Sequence, residues 1–398
     1  MQRLLTARTL LRGPAEDRID EGAVLIDGDT VLAAGPTDEV ARQAGPGIDR
    51  EDFPDGTILP GLIDAHVHLA FNGTAEVVES LQQVGDEELL AEMTDRAHRI
   101  AATGTTTVRD LGDRSGLALR LRSAIAEGDP FGPRILSAGA PLTTPAGHCW
   151  FLGGVVAGRA EIREHIRRQA EQGVDLIKVM ASGGHVTPDS PKPWEAQFND
   201  EDLRFIVDEA HRRGLPVAAH AHGTAIIRSV VDAGVDTVEH CTWMRLDGQG
   251  GLDEHPDIAE RMAARGIRAC PAWPSDWPAL VQALGPDIAA RSTGNIARTA
   301  EFGVELIAGT DTGVIRSPAG AEPADALELY THRIGMSPAH VLNMATVRSA
   351  AAIGLGEVTG ALVPGLAADL LIVDGDPTES LDALRHRRLV LARGRTPQ

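Results

Sequence analysis

Short apolar runs alternate along most of the chain with longer stretches in which apolar and charged residues mix at helical spacing. The runs fall at 57–63, 105–111, 134–140, 176–181, 216–220, 237–240, 268–272 and 306–311, which predicts eight strands. The stretches between them include AEIREHIRRQAEQG, DEDLRFIVDEAHRRG and TAIIRSVVDAG, and each ends at a glycine, a usual helix stop. Strand and helix in alternation imply a parallel sheet, because a parallel strand needs a long crossover connection. Eight such repeats imply closure into a (β/α)₈ TIM barrel, an α/β fold. A ninth helical stretch, 338–353, follows the last run.

The two ends read differently. Residues 1–57 carry the strand-like runs RLLTARTLL and GAVLIDGDTVLAAG, and Gly28-Asp29 between two apolar segments is a hairpin signal. Near the other end, GALVPGLAADLLIVDGD and RRLVLARGR have the same character. The expectation is a small β-sandwich built from 1–57 plus 357–398, beside a barrel spanning 58–356.

Polar residues inside the apolar runs carry the candidate chemistry. Asp64-Ala65-His66-Val67-His68-Leu69 follows the first run. Alternate side chains share one face of a strand, so His66 and His68 point the same way. They do so at a strand's C-terminal end, where barrel enzymes keep their sites. Two imidazoles so placed can grip one metal ion. Lys178 lies in the fourth run, Leu176-Ile177-Lys178-Val179-Met180. A buried, unpaired ammonium is costly, so such a lysine is either paired with a carboxylate or deprotonated. A deprotonated lysine can add CO₂ and become a carbamate, an oxygen ligand able to bridge two metals. His220 and His240 close the fifth and sixth runs, and Asp311 closes the eighth. An aspartate there can bind metal and accept a proton from a bound water. Each residue alone has an ordinary reading as a satisfied core group. Together they put nitrogen and oxygen ligands at the ends of strands one, four, five, six and eight of one barrel.

Composition sharpens one of these readings. The 37 basic residues comprise 35 arginines and two lysines, Lys178 and Lys192. A lysine kept in such a chain does something a guanidinium cannot. The net charge of −20 argues against nucleic acid or an anionic membrane as partner. No apolar run approaches the ~20 residues of a membrane span. The opening MQRLLTARTLLRG has Arg8 and Arg12 inside its apolar part and no small-residue cleavage site, so it reads as mature structure. Three cysteines, Cys149, Cys241 and Cys270, cannot form a disulfide framework, and a cytoplasmic location is expected.

The pieces LPGLIDAHVHL, LIKVMASGG, VAAHAHG, VEHC and AGTDTG, with HVLNMATVRSAAAIGL and GALVPGLAADLLIVDGDP, resemble the amidohydrolase superfamily over nearly the whole chain. Within it the chain looks like the imidazolonepropionase-like group that contains Xaa-Pro dipeptidases and carboxypeptidases acting on N-acyl or dipeptide substrates. The resemblance implies two divalent ions, expected to be zinc. His66, His68 and Asp311 would hold the more buried one and His220 and His240 the second, with CO₂-modified Lys178 and a hydroxide between them. Imidazolonepropionases proper use one metal and lack this lysine. Deaminases of the superfamily commonly use one metal and a histidine–glutamate pair. Lys178 argues against both. Dipeptidase relatives often have a tyrosine shortly after the sixth-strand histidine, where this chain has Trp243, and its only tyrosine is Tyr330. A homo-oligomer is expected on family likeness alone.

The expected activity is hydrolysis of an amide or peptide bond in a small substrate such as a dipeptide or N-acyl amino acid. Asp311 would move the proton to the leaving amine, and His148, in TTPAGHCW, would stabilise the oxyanion. An ester, lactone, carbamate or cyclic amide fits the same site. The rival of a different class is a non-catalytic binding barrel, against which the complete ligand set speaks. All five tryptophans, Trp150, Trp194, Trp243, Trp273 and Trp277, fall just after predicted strands, in the loops that build a barrel's mouth. They predict a large apolar pocket, with Trp243, Trp273 and His222 against the substrate. His185 has a weaker case. Arg245, Arg316 and Lys192 lie in such loops and are candidates to hold a substrate carboxylate.

Overall fold

The computed structural model describes residues 2–45, 47–128, 131–245 and 255–397. Its strands are β1 (Gln2–Leu11), β2 (Arg18–Asp27), β3 (Thr30–Pro36), β4 (Asp49–Pro60), β5 (Leu62–Val67), β6 (Thr105–Asp110), β7 (Arg134–Ser137), β8 (Ile177–Met180), β9 (Val217–Gly223), β10 (Thr237–Met244), β11 (Arg268–Cys270), β12 (Leu370–Asp374) and β13 (Arg387–Leu391).

Both ends of the chain enter one six-stranded sheet, ordered β13-β12-β4-β1-β2-β3. Asp27 pairs with Thr30 across a two-residue turn in which Gly28 takes φ +58°, the left-handed conformation such hairpins need. β4 runs parallel to β1 after the crossover through helix Thr37–Ala41, and β12 pairs antiparallel with the free edge of β4. The late strands therefore extend the edge of the first sheet rather than stacking on it as a second. Alternate residues serve its two faces. Leu5, Val24, Ile26, Ile58, Leu370 and Ile372 pack on one side, and Leu4, Ala23, Leu25 and Ala33 on the other. Leu11, Leu59, Leu371 and Val390 join the main core.

The remaining strands form two parallel arcs, β5-β6-β7 and β8-β9-β10-β11. Single parallel bridges join them, Leu142 to Val179 at one seam, and Ala269 to Leu306 and Val67 to Thr312 at the other. The arrangement is TIM-barrel-like. The run 306–311 forms no continuous ladder. Ala65 N–H donates to Ala308 O at 2.9 Å and Asp311 N–H to His66 O at 2.9 Å, and the left-handed φ of +54° at Asp311 then turns the chain away. The expected first strand 57–63 proves to be parts of two elements. Gly61 separates them, packed so close to Thr106 that a Cβ would collide with its hydroxyl.

Helices Arg159–Gln172, Asp200–His211 and Thr224–Ala233 cover the outside of the second arc. Ile166, Ile206 and Ile227 meet Val179, Ala219 and Val238 in one apolar cluster. The first and third helices end on left-handed Gly173 and Gly234. The ninth helical stretch is Pro338–Asn343 and Ser349–Ala352 joined by a π-helical turn, Met344–Arg348. Among the described residues no helix is long and apolar enough to cross a membrane.

Candidate metal centre

His66, His68, Lys178, His220, His240 and Asp311 line one cavity of ≈ 400 Å³ at the C-terminal ends of the barrel strands. That is an ordinary size for a small-molecule site. All six expected ligands are therefore together.

Hydrogen bonds on the outer ring nitrogens decide which nitrogen faces inward. His66 Nδ1–H donates to Glu239 Oε2 at 2.8 Å, which leaves Nε2 3.3 Å from Asp311 Oδ1. His68 Nδ1 lies 3.4 Å from Gly112 O, and its Nε2 is 3.5 Å from the same Asp311 oxygen. His220 reverses the choice. Its Nε2–H donates to Gly183 O at 3.0 Å, so Nδ1 is the free nitrogen. His222 Nδ1 is 3.1 Å from Thr242 Oγ1, whose own proton goes to His222 O, so His222 keeps a free Nε2. Ring nitrogens of His220, His222 and His240 lie within 4.8 Å of one another, as do ligand atoms of His66, His68 and Asp311. Both trios match the donor chemistry of a divalent ion of zinc type.

Burial sets the protonation of these groups. It pushes His68 down to about 4 and His220, His222 and His240 well below the ordinary histidine range, so all four are neutral at pH 7 with a lone pair available. Burial and Lys178 push His66 down, but Asp311 and Glu239 outweigh them and raise it. Burial raises Asp311, yet His66 and His68 hold it below the usual carboxylate value. Lys178 is 1% exposed, and burial lowers its amine to about 8. Its Nζ has no hydrogen-bond partner. No carboxylate hydrogen-bonds Lys178, although the charges of Glu239 and Asp311 partly offset the effect of burial on its amine.

His148 lines the same cavity on a loop pinned to the end of β8. Its N–H donates to Gln197 Oε1 at 2.7 Å, and Gln197 Nε2 donates to Met180 O and Ser182 O. Thr187 Oγ1 accepts from Cys149 N–H and lies 3.0 Å from His148 Nδ1, so the hydroxyl occupies that ring nitrogen and leaves Nε2 toward the cavity. Burial and Lys178 push His148 down to about 3, so it stays a neutral donor.

A family model described as the amidohydrolase family matches residues 57–394. The chain belongs to the amidohydrolase family. Ochratoxinase of Aspergillus niger is 28% identical over 377 residues, covering 84% of this chain and 73% of that protein. The imidazolonepropionase of Symbiobacterium thermophilum is 25% identical over 407 residues, covering 92% and 88%. A solved Xaa-Pro dipeptidase with methionine bound in its active site superposes with a TM-score of 0.84 at 26% identity, over 99% of both chains. The protein is a hydrolase acting on carbon–nitrogen bonds.

In this amidohydrolase the other expected contacts separate. His222, His185 and Arg316 line the cavity, and Arg245 and Lys192 lie outside it. None of the five tryptophans lines it either. Trp243 is fully buried in the main core, its Nε1–H donating to Thr299 Oγ1 at 3.0 Å, and Trp273 is buried in that core too. Trp277 donates to Asp325 O, and Trp150 is 40% exposed. The apolar wall is instead Phe71, Met180, Val186, Leu280, Leu284 and Ile315. Tyr330 is buried on helix Pro323–His332, off the cavity.

The amidohydrolase interior also holds a buried network around Glu239 and Arg109. Glu239 Oε1 accepts from Arg109 at 2.8 Å and from Thr237 Oγ1 at 2.5 Å, while Oε2 holds His66. Arg109 also donates to Ala65 O at 2.7 Å, which ties β6 to β5 and β10. The signal was present in VEHC, a carboxylate in an apolar run. The left-handed φ of +65° at His240 breaks the alternation, so consecutive Glu239 and His240 both face inward.

Proposed function

We propose that this amidohydrolase is a two-metal hydrolase that cleaves the amide or peptide bond of a dipeptide or N-acyl amino acid carrying an apolar group, in a cytoplasmic setting suited to its three buried free cysteines. The two arcs and their bridges are read as one closed (β/α)₈ barrel over 58–356, with 1–57 and 357–398 as a second unit. The observation that carries the proposal is Lys178, an amine without a hydrogen-bond partner, buried in one cavity with the neutral imidazoles of His68, His148, His220, His222 and His240 and an ionised aspartate. That donor set fits zinc: His66, His68 and Asp311 would hold one ion and His220 and His240 the other, and Lys178, as its CO₂ adduct, would supply a further oxygen donor. When bound, the ions supply hydroxide at neutral pH and polarise the scissile carbonyl.

The chain's own residues supply the rest. Asp311 is ionised and takes the proton at a carboxylate oxygen, then returns it to the amine nitrogen as the C–N bond breaks. His148 presents Nε2–H where negative charge grows on the carbonyl oxygen, the part a tyrosine plays in the pattern expected of dipeptidase relatives. Glu239, held by Arg109, keeps the proton of His66 on Nδ1 and its lone pair on Nε2. The apolar wall keeps water away from the reacting bond.

The test is metal content together with the mass of the peptide containing Lys178, measured on protein purified without chelators. Two equivalents of metal and one added CO₂ are expected. One equivalent with an unmodified lysine overturns the two-metal reading. A panel of dipeptides and N-acyl amino acids then checks the substrate class.

A further inference from the structure

The cavity is polar on one side and apolar on the other, and the apolar side is built in an unusual way. Leu280 and Leu284 come from helix Trp277–Leu284, whose sequence WPALVQAL contains no charged residue. None of its side chains is fully buried. Leu280 and Leu284 pack in part against the main core and turn their remaining apolar surface to the cavity. Ile315, 46% exposed, adds to the same wall.

Arg316 stands next to Ile315 and lines the cavity as well. Its φ of +69° is a conformation that residues with side chains seldom adopt. Two hydrogen bonds to its carbonyl oxygen hold it there, from Asp276 N–H at 3.0 Å and from Ser275 Oγ at 3.2 Å. Asp276 caps helix Trp277–Leu284 by accepting from Ala279 N–H. The strained residue and the start of the apolar helix are therefore one mechanical unit. The guanidinium of Arg316 has no hydrogen-bond or ion-pair partner among the described residues, whereas the buried Arg109 is fully paired. An unpaired, half-buried guanidinium beside a substrate cavity is a receptor for a carboxylate.

We propose that Arg316 and helix Trp277–Leu284 form a subsite for one amino-acid unit of the substrate, its α-carboxylate on Arg316 and its apolar side chain against Leu280, Leu284 and Ile315. This rests on the amide-hydrolase reading, since the nitrogen of that unit is the leaving amine. Hydrolysis puts OH on the acyl carbon and H on that nitrogen. The preferred substrates then end in a free apolar amino acid. Their carboxamides and acidic counterparts are poor.

Binding and turnover test this separately on the metal-loaded enzyme. By calorimetry, the product amino acids L-phenylalanine and L-leucine are expected to bind about 10- to 100-fold more tightly than their carboxamides, the range of a charge-assisted hydrogen bond. Arg316→Gln brings that ratio near one, and Arg316→Lys restores part of it. Leu280→Ala and Leu284→Ala each cut the preference for phenylalanine over alanine as the terminal residue by about tenfold. Equal binding of acid and amide by the wild type, or a ratio untouched by Arg316→Gln, overturns the proposal. Tight, Arg316-dependent binding without cleavage of any amide leaves the subsite standing and sinks the amide-hydrolase reading instead.

Discussion

Two groups of buried charge share the barrel interior. Arg109 and Glu239 are almost wholly enclosed, yet every strong donor and acceptor between them is matched, and Thr237, Ala65 and His66 complete the set. Lys178 is equally enclosed, and its amine has no hydrogen-bond partner. Burying an unmatched amine works against folding, and a methionine would fill the same space. A chain that builds one network to completion and leaves its neighbour open has been shaped by two demands. The closed network holds the frame; on the two-metal proposal, bound ions would complete the open cluster.

The contrast can be broken from either side. The largest effect is expected in the open cluster. Asp311→Asn keeps the shape but removes the proton acceptor, and kcat/KM should fall by about 10²- to 10⁴-fold with the folded state intact, read by steady-state kinetics beside a melting curve. His148→Phe removes the oxyanion donor and should lower kcat by about 10²- to 10³-fold with little change in metal content. If His148 only fills its loop, kcat will hardly move. Glu239→Gln loosens the frame around His66, and metal affinity should drop by about 10- to 100-fold in a chelator competition. An unchanged affinity would show that the network supports the fold alone. Lys178→Met gives the smallest and most diagnostic change. In metal-free protein it should raise stability by about 1–3 kcal/mol in urea unfolding at pH 7.

Lys178 also gives a pH signature with a definite sign. Its pKa falls from 10.5 to about 8 on burial. Between those values the unfolded chain holds a proton that the folded chain has released, so wild-type stability should rise with pH from about 8 to about 10.5. Below about 8 both states are protonated and the lysine contributes no slope. Metal-free Lys178→Met should lack the rise.

Much of this site was legible in the sequence because its residues interrupt apolar strands. His66, Lys178, His220, His240 and Asp311 each stand out against valine, isoleucine and alanine, and the period of two fixes where the first two histidines point. What stayed hidden depended on backbone conformations that break that period. The apolar pattern predicts a strand ending at His240, but β10 continues to Met244, through left-handed His240, Cys241 and Trp243. Trp243 thus belongs to a strand wall facing the helices, not to a mouth loop. The five tryptophans share a position along the chain but not a direction, and sequence distance from a strand end carries no direction. The apolar wall escaped notice for a related reason, because Leu280 and Leu284 look like any helix residues until their exposure is known. At the other end of the barrel, Gly61 hides a break between two strands that reads as one apolar run, since only the nearness of Thr106 explains it.

The six-stranded sheet has a further consequence, for biosynthesis. β4 leads directly into β5 and so into the first pair of candidate ligands, yet one of its edges is covered only by β12, more than 300 residues later in the chain. Until residues 370–391 have left the ribosome, that edge presents unpaired N–H and C=O groups while the barrel strands are already emerging. Such distant pairing is slow, and an open edge invites association with other nascent chains. The nascent protein therefore passes through a long interval in which its first ligand strand is tethered to an unfinished sheet, a natural point for chaperone engagement.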